Sequence, residues 1–399
     1  MSQESSTASA DAIDAATLRD RLAAGERVHL LDVRNRSEID EWRIDAPERS
    51  AIPYMRFVAA GATDSVADLA SDLPDEVVVV CPQGEASDEV AAMLREEDFD
   101  AINLADGMEG WARLYEATEL DADAEATVLQ YLRPSSGCLA YLVVSDGEAA
   151  VIDPLRAFAD RYLADARDLD AELVYAVDTH VHADHVSGVH DLAAEGVEPI
   201  LPSGAVGRGL ADADDFTLLA PGDALEIGGA TVEAIAAPGH TTEMTAYRVG
   251  DLLLTGDGLF LERVPRPDLE REALRASERA SGRSQRAAGD DGAREMARDL
   301  HATLTERFAD LPDDLTVAPG HVEPDVAATG PFVAALGDLR ERLPAFEQDR
   351  EAFVAFVLDR MGSRPANYEE IVAVNLGRED VDDETAFELE LGPNNCAAG

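Results

Sequence analysis

The 399-residue chain contains no lysine: all 32 of its basic side chains are arginine, set against 82 acidic ones. That excludes Schiff-base lysines and the phosphate-holding lysine of Walker-type loops. A net charge of -50 leaves no basic surface for nucleic acid, so no nucleic-acid partner is expected. Also missing are any apolar run of about 18 residues and any basic-then-apolar leader, which predicts a cytoplasmic protein with no membrane partner. Cysteine is scarce as well. Cys81, Cys138 and Cys396 are too few and too scattered for a disulfide framework, so at least one is better read as chemistry.

Hydrophobic residues make up 46% of the chain, as in a folded core rather than a disordered acidic segment. Such a surface repels itself unless salt screens it, and molar salt shortens the Debye length to roughly 3 Å. The composition therefore points to a halophile's salt-loaded cytosol, in which a symmetric homodimer is permitted.

Hydrophobic periodicity divides the chain into an N-terminal tail (1–12), an α/β domain (13–117) and an acidic linker (118–126). A larger α/β domain (127–335) and a helical C-terminal extension with a tail (336–399) follow. In the first domain Val77 to Val80 is continuously apolar, the signature of a parallel strand buried on both faces. Asp146-Gly147 marks a tight hairpin turn. The low-apolar segment Glu270 to Arg298 reads as an exposed insertion, and the stretches Phe332 to Arg342 and Glu351 to Met361 as amphipathic helices.

The densest chemical signal is Thr179-His180-Val181-His182-Ala183-Asp184-His185, just past the apolar strand Leu173 to Val177. On such a loop His180 and His182 can face one pocket while Asp184 and His185 turn to a neighbouring one, which serves two adjacent metal positions. Pro238-Gly239-His240-Thr241, Thr255-Gly256-Asp257-Gly258 and Pro319-Gly320-His321 each follow another apolar strand. Their glycines allow sharp turns and close approach of the backbone.

In that order these motifs resemble the metallo-β-lactamase superfamily, an αββα sandwich. The resemblance implies one metal on His180, His182 and His240 and a second on Asp184, His185 and His321, with Asp257 bridging. It leaves open whether one metal or two are bound. Likeness to persulfide dioxygenases of this superfamily implies a mononuclear Fe(II) on His180, His240 and Asp257, oxidising a thiol persulfide with O2. Likeness to glyoxalase II thioesterases implies instead two Zn or Fe ions that activate water against a thioester. The run Gly256 to Leu269 resembles the persulfide dioxygenase segment in which Arg266 would hold a substrate carboxylate and Asp268 would fix that arginine. Pro265 stands where that family has glycine. The run Arg364 to Val372 and the closing Gly-Pro-Asn-Asn-Cys, with Cys396, resemble the ends of such enzymes fused to rhodanese modules.

Over about Ile13 to Ala117, Leu30-Leu31-Asp32-Val33-Arg34, Cys81-Pro82-Gln83-Gly84-Glu85-Ala86-Ser87 and Asp106-Gly107-Met108-Glu109-Gly110-Trp111 resemble a rhodanese domain. Cys81 would sit in a cradle of loop amides at a helix N-terminus, where a thiolate accepts and passes on sulfane sulfur. Ala86 occupies the position of the usual arginine, and a missing cation weakens thiosulfate binding. Persulfide shuttling and non-catalytic docking are the two readings left. Cys81 and Asp184 are the candidate catalytic residues. Asp32 and Arg34 are expected to form a structural pair, and Cys138, heading an apolar strand, to be a core residue.

Overall fold

The computed structural model describes residues 11–121, 126–270, 291–323, 328–362, 364–392 and 397–398. Cys396, the tail before Asp11 and most of the expected insertion lie outside them. The chain forms two compact units, one of Met1–Tyr115, Arg133–Ser136 and Pro324–Thr329, the other of Glu116–Leu132, Gly137–Glu323 and Gly330–Gly399.

The first unit is built on a parallel sheet of β1 (Ala12–Ile13), β2 (His29–Asp32), β3 (Glu48–Ala51), β4 (Glu76–Val80) and β5 (Asp100–Leu104), ordered β1-β5-β4-β2-β3. Alternation along β4 sends Val77 and Val79 into one apolar cluster and Val78 and Val80 into another, as a strand covered on both faces requires. Crossover helices supply the covers, Ala15–Ala23 and Gly107–Ala112 on one side and Tyr54–Gly61 and Glu85–Glu96 on the other. Parallel strands end together at one sheet edge, and Cys81 follows β4 there.

The second unit is a sandwich. One sheet runs β12-β11-β10-β9-β8-β7-β6, made of β6 (Glu116–Leu120), β7 (Thr127–Arg133), β8 (Cys138–Ser145), β9 (Glu148–Ile152), β10 (Glu172–Val177), β11 (Glu198–Pro202) and β12 (Thr217–Leu219). The other runs β13-β14-β15-β16-β18-β19. It contains β13 (Ala224–Ile227), β14 (Ala230–Ala236), β15 (Thr245–Val249), β16 (Leu252–Gly256), β18 (Thr316–Pro319) and β19 (Ala334–Ala335), while β17 (Val264–Pro265) pairs separately with β20 (Ala397–Ala398).

Tyr141, Val143, Ile152 and Val177 meet Tyr247, Val249, Leu252 and Leu254 between the sheets. Leu253, one residue out of phase, faces the opposite way and packs with Leu300, Leu339, Phe353 and Val357 of the outer helices Asp291–Ala302, Leu336–Arg342 and Arg350–Leu358. Tyr162 and Ala166 of helix Ala159–Asp168 are buried beside the first sheet, which completes the αββα layering. The hairpin at Asp146-Gly147 is present, both residues having left-handed backbone with φ of 46° and 86°.

Two expectations are corrected here. Residues 118–120 are not linker: they belong to Glu116–Leu120, which pairs antiparallel with β7 as an edge strand, because its alternating side chains need only one covered face. Residues 332–335 are not helical, since Ala334–Ala335 pairs with Thr316 and Val317, and the helix starts at Leu336.

Candidate metal centre

Every chemistry-bearing loop of the sandwich leaves the end of a strand at one edge. The loop after β10 carries His180, His182, Asp184 and His185, all at most 2% exposed. A buried loop must pair its backbone, and this one does so with side chains brought from far along the chain. Asp153, at the end of β9 in a left-handed conformation (φ 54°), accepts from Thr179 N at 2.7 Å, Thr179 Oγ1 at 3.0 Å and His182 Nε2 at 3.1 Å. Glu243 accepts from Val181 N at 3.0 Å and is neutralised by Arg208 at 2.6 Å. Asn375 Nδ2 donates to the carbonyls of His182 and His185 at 3.0 and 2.9 Å, and its Oδ1 accepts from Ser187 N at 2.9 Å. Glu390 accepts from Val186 N at 2.8 Å. The C-terminal helices Tyr368–Asn375 and Asp383–Leu389 thus clamp the loop, and Val372, Leu376, Ile371 and Val374 pack against Val181, Ala183 and Val186. Sequence reading gave Asn375 and Glu390 no role.

The other loops are set by glycine. Gly256 has φ 47°, and a Cβ there would lie 2.4 Å from Thr179 Oγ1. At Gly320 a Cβ would lie 2.7 Å from Asp257 Oδ1. Asp257 and His321 approach this closely because those positions have no side chain.

Hydrogen bonding fixes which imidazole atoms face inward. Thr179 donates its hydroxyl proton to Asp153, so its oxygen accepts the Nδ1 proton of His180 at 2.9 Å. A carbonyl can only accept, so the contact of His240 Nδ1 with the Arg266 carbonyl at 2.8 Å also places the proton on Nδ1. Both Nε2 lone pairs are left without a partner, as is Asp257 Oδ2, which lies 3.9 Å from His180 Nε2 and 3.5 Å from His240 Nε2. Ligand atoms about 2.1 Å from one ion stand roughly 3–3.5 Å apart, so this convergence fits a metal. Burial, reinforced by His182 and His240, holds His180 well below the ordinary imidazole range and keeps it neutral, as a ligand must be.

Beside this triad, His182 Nδ1, Asp184 Oδ1 and His185 Nε2 are likewise buried without a partner. His185 Nδ1 pairs with Asp184 Oδ2 at 2.9 Å. Burial and His182 lower the His185 pKa, but the Asp184 carboxylate outweighs them and raises it to about 9. His321 spans the two carboxylates, Nε2 on Asp184 at 2.8 Å and Nδ1 on Asp257 at 2.7 Å. All seven sequence-predicted donors therefore gather here. Cys138 is buried, as expected of a core residue, and its thiol also stands 3.2 Å from Asp184 Oδ2. Cys138 is fully packed, yet it heads a strand whose end abuts the loop of His321.

Arg266 and Asp268 lie just past β17. Arg266 Nε and Nη2 bond Asp268 at 2.7 and 3.2 Å, Arg266 is 2% exposed, and Arg364 Nε reaches the same carboxylate at 2.8 Å.

In the first unit, Cys81 Sγ accepts from Gly84 N and Ser87 Oγ, both at 3.1 Å. One loop amide of the expected cradle is in place, and the Ser87 hydroxyl adds a donor to which sequence reading had assigned no role. Asp32 and Arg34 form the expected structural pair, buried, with Nη2 to Oδ2 at 2.7 Å.

Residues 134–321 match the family described as "Metallo-beta-lactamase superfamily", and residues 14–114 that described as "Rhodanese-like domain". The chain is 27% identical over 204 residues to the mitochondrial persulfide dioxygenase of Mus musculus, across 50% of this chain and 69% of that protein. It is 37% identical over 122 residues to hydroxyacylglutathione hydrolase of Acidiphilium cryptum (strain JF-5), across 30% of this chain and 49% of that protein. Among solved structures it is similar in fold to a metallo-beta-lactamase of Staphylococcus aureus subsp. aureus COL, with a TM-score of 0.55 at 20% identity over 65% of this chain and 74% of that one. No helix among the described residues is long and apolar enough to cross a membrane. By these matches and the layering described above, the chain joins a rhodanese-like domain to a domain of the metallo-beta-lactamase superfamily.

Proposed function

We propose that the sandwich unit oxidises a low-molecular-weight thiol persulfide with O2, yielding sulfite and the free thiol. The carrying observation is the trio of unpartnered, buried atoms His180 Nε2, His240 Nε2 and Asp257 Oδ2. Two imidazoles and one carboxylate are the donor set that suits Fe(II), and a bound Fe(II) would supply O2 activation beside the substrate sulfur. In the overall reaction the sulfane sulfur gives four electrons to O2. Water supplies the third oxygen of sulfite, and the thiol leaves with a proton.

The protein's own residues set the stage for this. Thr179 and the Arg266 carbonyl lock the two imidazoles in the ligating tautomer. His321, held between Asp184 and Asp257, keeps a proton beside the reacting region. Arg266, fixed by Asp268, and the more exposed Arg364 form a cationic anchor for a substrate carboxylate. In the rhodanese-like unit, Cys81 would carry sulfane sulfur on a sulfur atom that accepts from Gly84 N–H and Ser87 O–H.

A second reading is a dinuclear thioester hydrolase. It is favoured by the unpartnered His182 Nδ1, Asp184 Oδ1 and His185 Nε2, a second set of donors beside the first. One assay separates the two: oxygen uptake in molar salt by the Fe(II)-reconstituted protein on addition of a thiol persulfide. Uptake with sulfite formation, lost in His240→Ala, supports the oxygenase. No uptake from a folded, metal-loaded sample that instead cleaves thioesters sinks it in favour of the hydrolase.

A further inference from the structure

Next to the nitrogen–oxygen triad stands a donor set that includes sulfur. Cys138, first residue of β8, forms an antiparallel bridge with His321, flanked by hydrogen bonds from Leu139 N to the Gly320 carbonyl (2.8 Å) and from Val322 N to the Gly137 carbonyl (2.9 Å). The backbones of the two residues do not hydrogen-bond each other, which makes this the kind of cross-strand pair whose side chains stand closest on one face. Cys138 Sγ and His321 Nε2 therefore converge on a single atom, Asp184 Oδ2, at 3.2 and 2.8 Å. The donor atoms of these three residues lie within 4.8 Å of one another, and each residue is at most 2% exposed. Two further observations point to a ligand there. Asp184 Oδ1 and His185 Nε2 are both buried with no hydrogen-bond partner.

We propose that Cys138 is a thiolate ligand of a second metal position, alongside Asp184, His185 and His321. A sulfur donor makes that position softer than the His180, His240 and Asp257 triad, so it selects Zn2+-like ions while the triad accepts Fe(II). The two positions would sort different metals within one pocket. On binding, the Cys138 S–H bond and the His321 Nε2–H bond both break, the two protons pass to solvent, and metal–sulfur and metal–nitrogen bonds form, with no change of oxidation state. The assignment holds whichever reaction the first position runs.

The test is anaerobic titration of the full, chelator-stripped chain in molar salt with Co(II), read by absorption. The expected result is a near-ultraviolet sulfur-to-cobalt charge-transfer band accompanied by proton release. The band should persist in the double variant Cys81→Ser/Cys396→Ser, where Cys138 is the sole cysteine, and disappear in Cys138→Ser. Loss of the thiolate should weaken cobalt binding at that position by at least about 10-fold. Cobalt bound without the band in the Cys138-only chain overturns the proposal, as does a band that survives Cys138→Ser. The Cys138-only chain decides the matter even where Cys138→Ser misfolds.

Discussion

The side-chain amide of Asn375 donates to the backbone carbonyl of His185 at 2.9 Å, across 190 residues of chain. The same nitrogen also serves the His182 carbonyl, so one residue of the C-terminal helix Tyr368–Asn375 holds both halves of the metal loop. Asn375→Ala strands two buried carbonyls and the Ser187 amide, at roughly 1–3 kcal/mol for each unsatisfied group. Thermal unfolding is expected at a clearly lower temperature, with metal affinity falling too. An unchanged melting temperature would mean that the loop holds its shape without the helix.

Thr179 orients His180 through a relay that ends on Asp153. Thr179→Val keeps the shape but removes the acceptor for the Nδ1 proton, which leaves the imidazole free to rotate or change tautomer. Loss of such an outer partner costs about 10- to 100-fold in metal affinity. Competition against a chelator of known strength measures it, and stability should change far less than after Asn375→Ala.

Six ligand-type atoms in the pocket have no hydrogen-bond partner, namely those of His180, His182, Asp184, His185, His240 and Asp257. An ion that satisfies them binds the folded chain only, and at 100 times its dissociation constant adds about 2.7 kcal/mol of stability. Stripping with a chelator should therefore lower the melting temperature, and restoring the metal should raise it. His240→Ala should blunt both changes.

Asp268 supplies a pH test away from the metal donors. Burial raises its pKa, but Arg266 and Arg364 outweigh burial and hold it below the usual 3.8. A depressed carboxylate pKa contributes stability that is fully present above the ordinary value and disappears as pH falls through the folded-state value. Asp268→Asn, which removes one buried carboxylate charge from beside Arg266 and Arg364, should cost roughly 3 kcal/mol at neutral pH. The gap to the native chain should close below about pH 4 in denaturant titrations. A constant gap across that range would show that the ion pair is not its source.

The three large sheets were largely legible in the sequence, because apolar alternation and continuous runs report directly on which faces are covered. Val77 to Val80 announced a strand buried on both faces, and the structure divides those four valines between two clusters. The seven histidine and aspartate donors were legible for a different reason, since their residue types are rare and each follows a strand. Residues 118–120 of the strand Glu116–Leu120 were missed because an acidic edge strand has the composition of a linker.

By itself the sequence determined the candidate donor residues, the strands they follow and the net charge of -50. These are local facts, carried by residue type and period. Only the tertiary structure decided which ring nitrogen faces the pocket, that Asn375 and Glu390 hold the histidine loop, and that the Cys138 thiol stands beside Asp184. Each depends on atoms brought together from distant parts of the chain, and no short-range pattern encodes such a meeting. Hydrogen bonding then completes the choice, because a carbonyl can only accept and a carboxylate must be paired when buried.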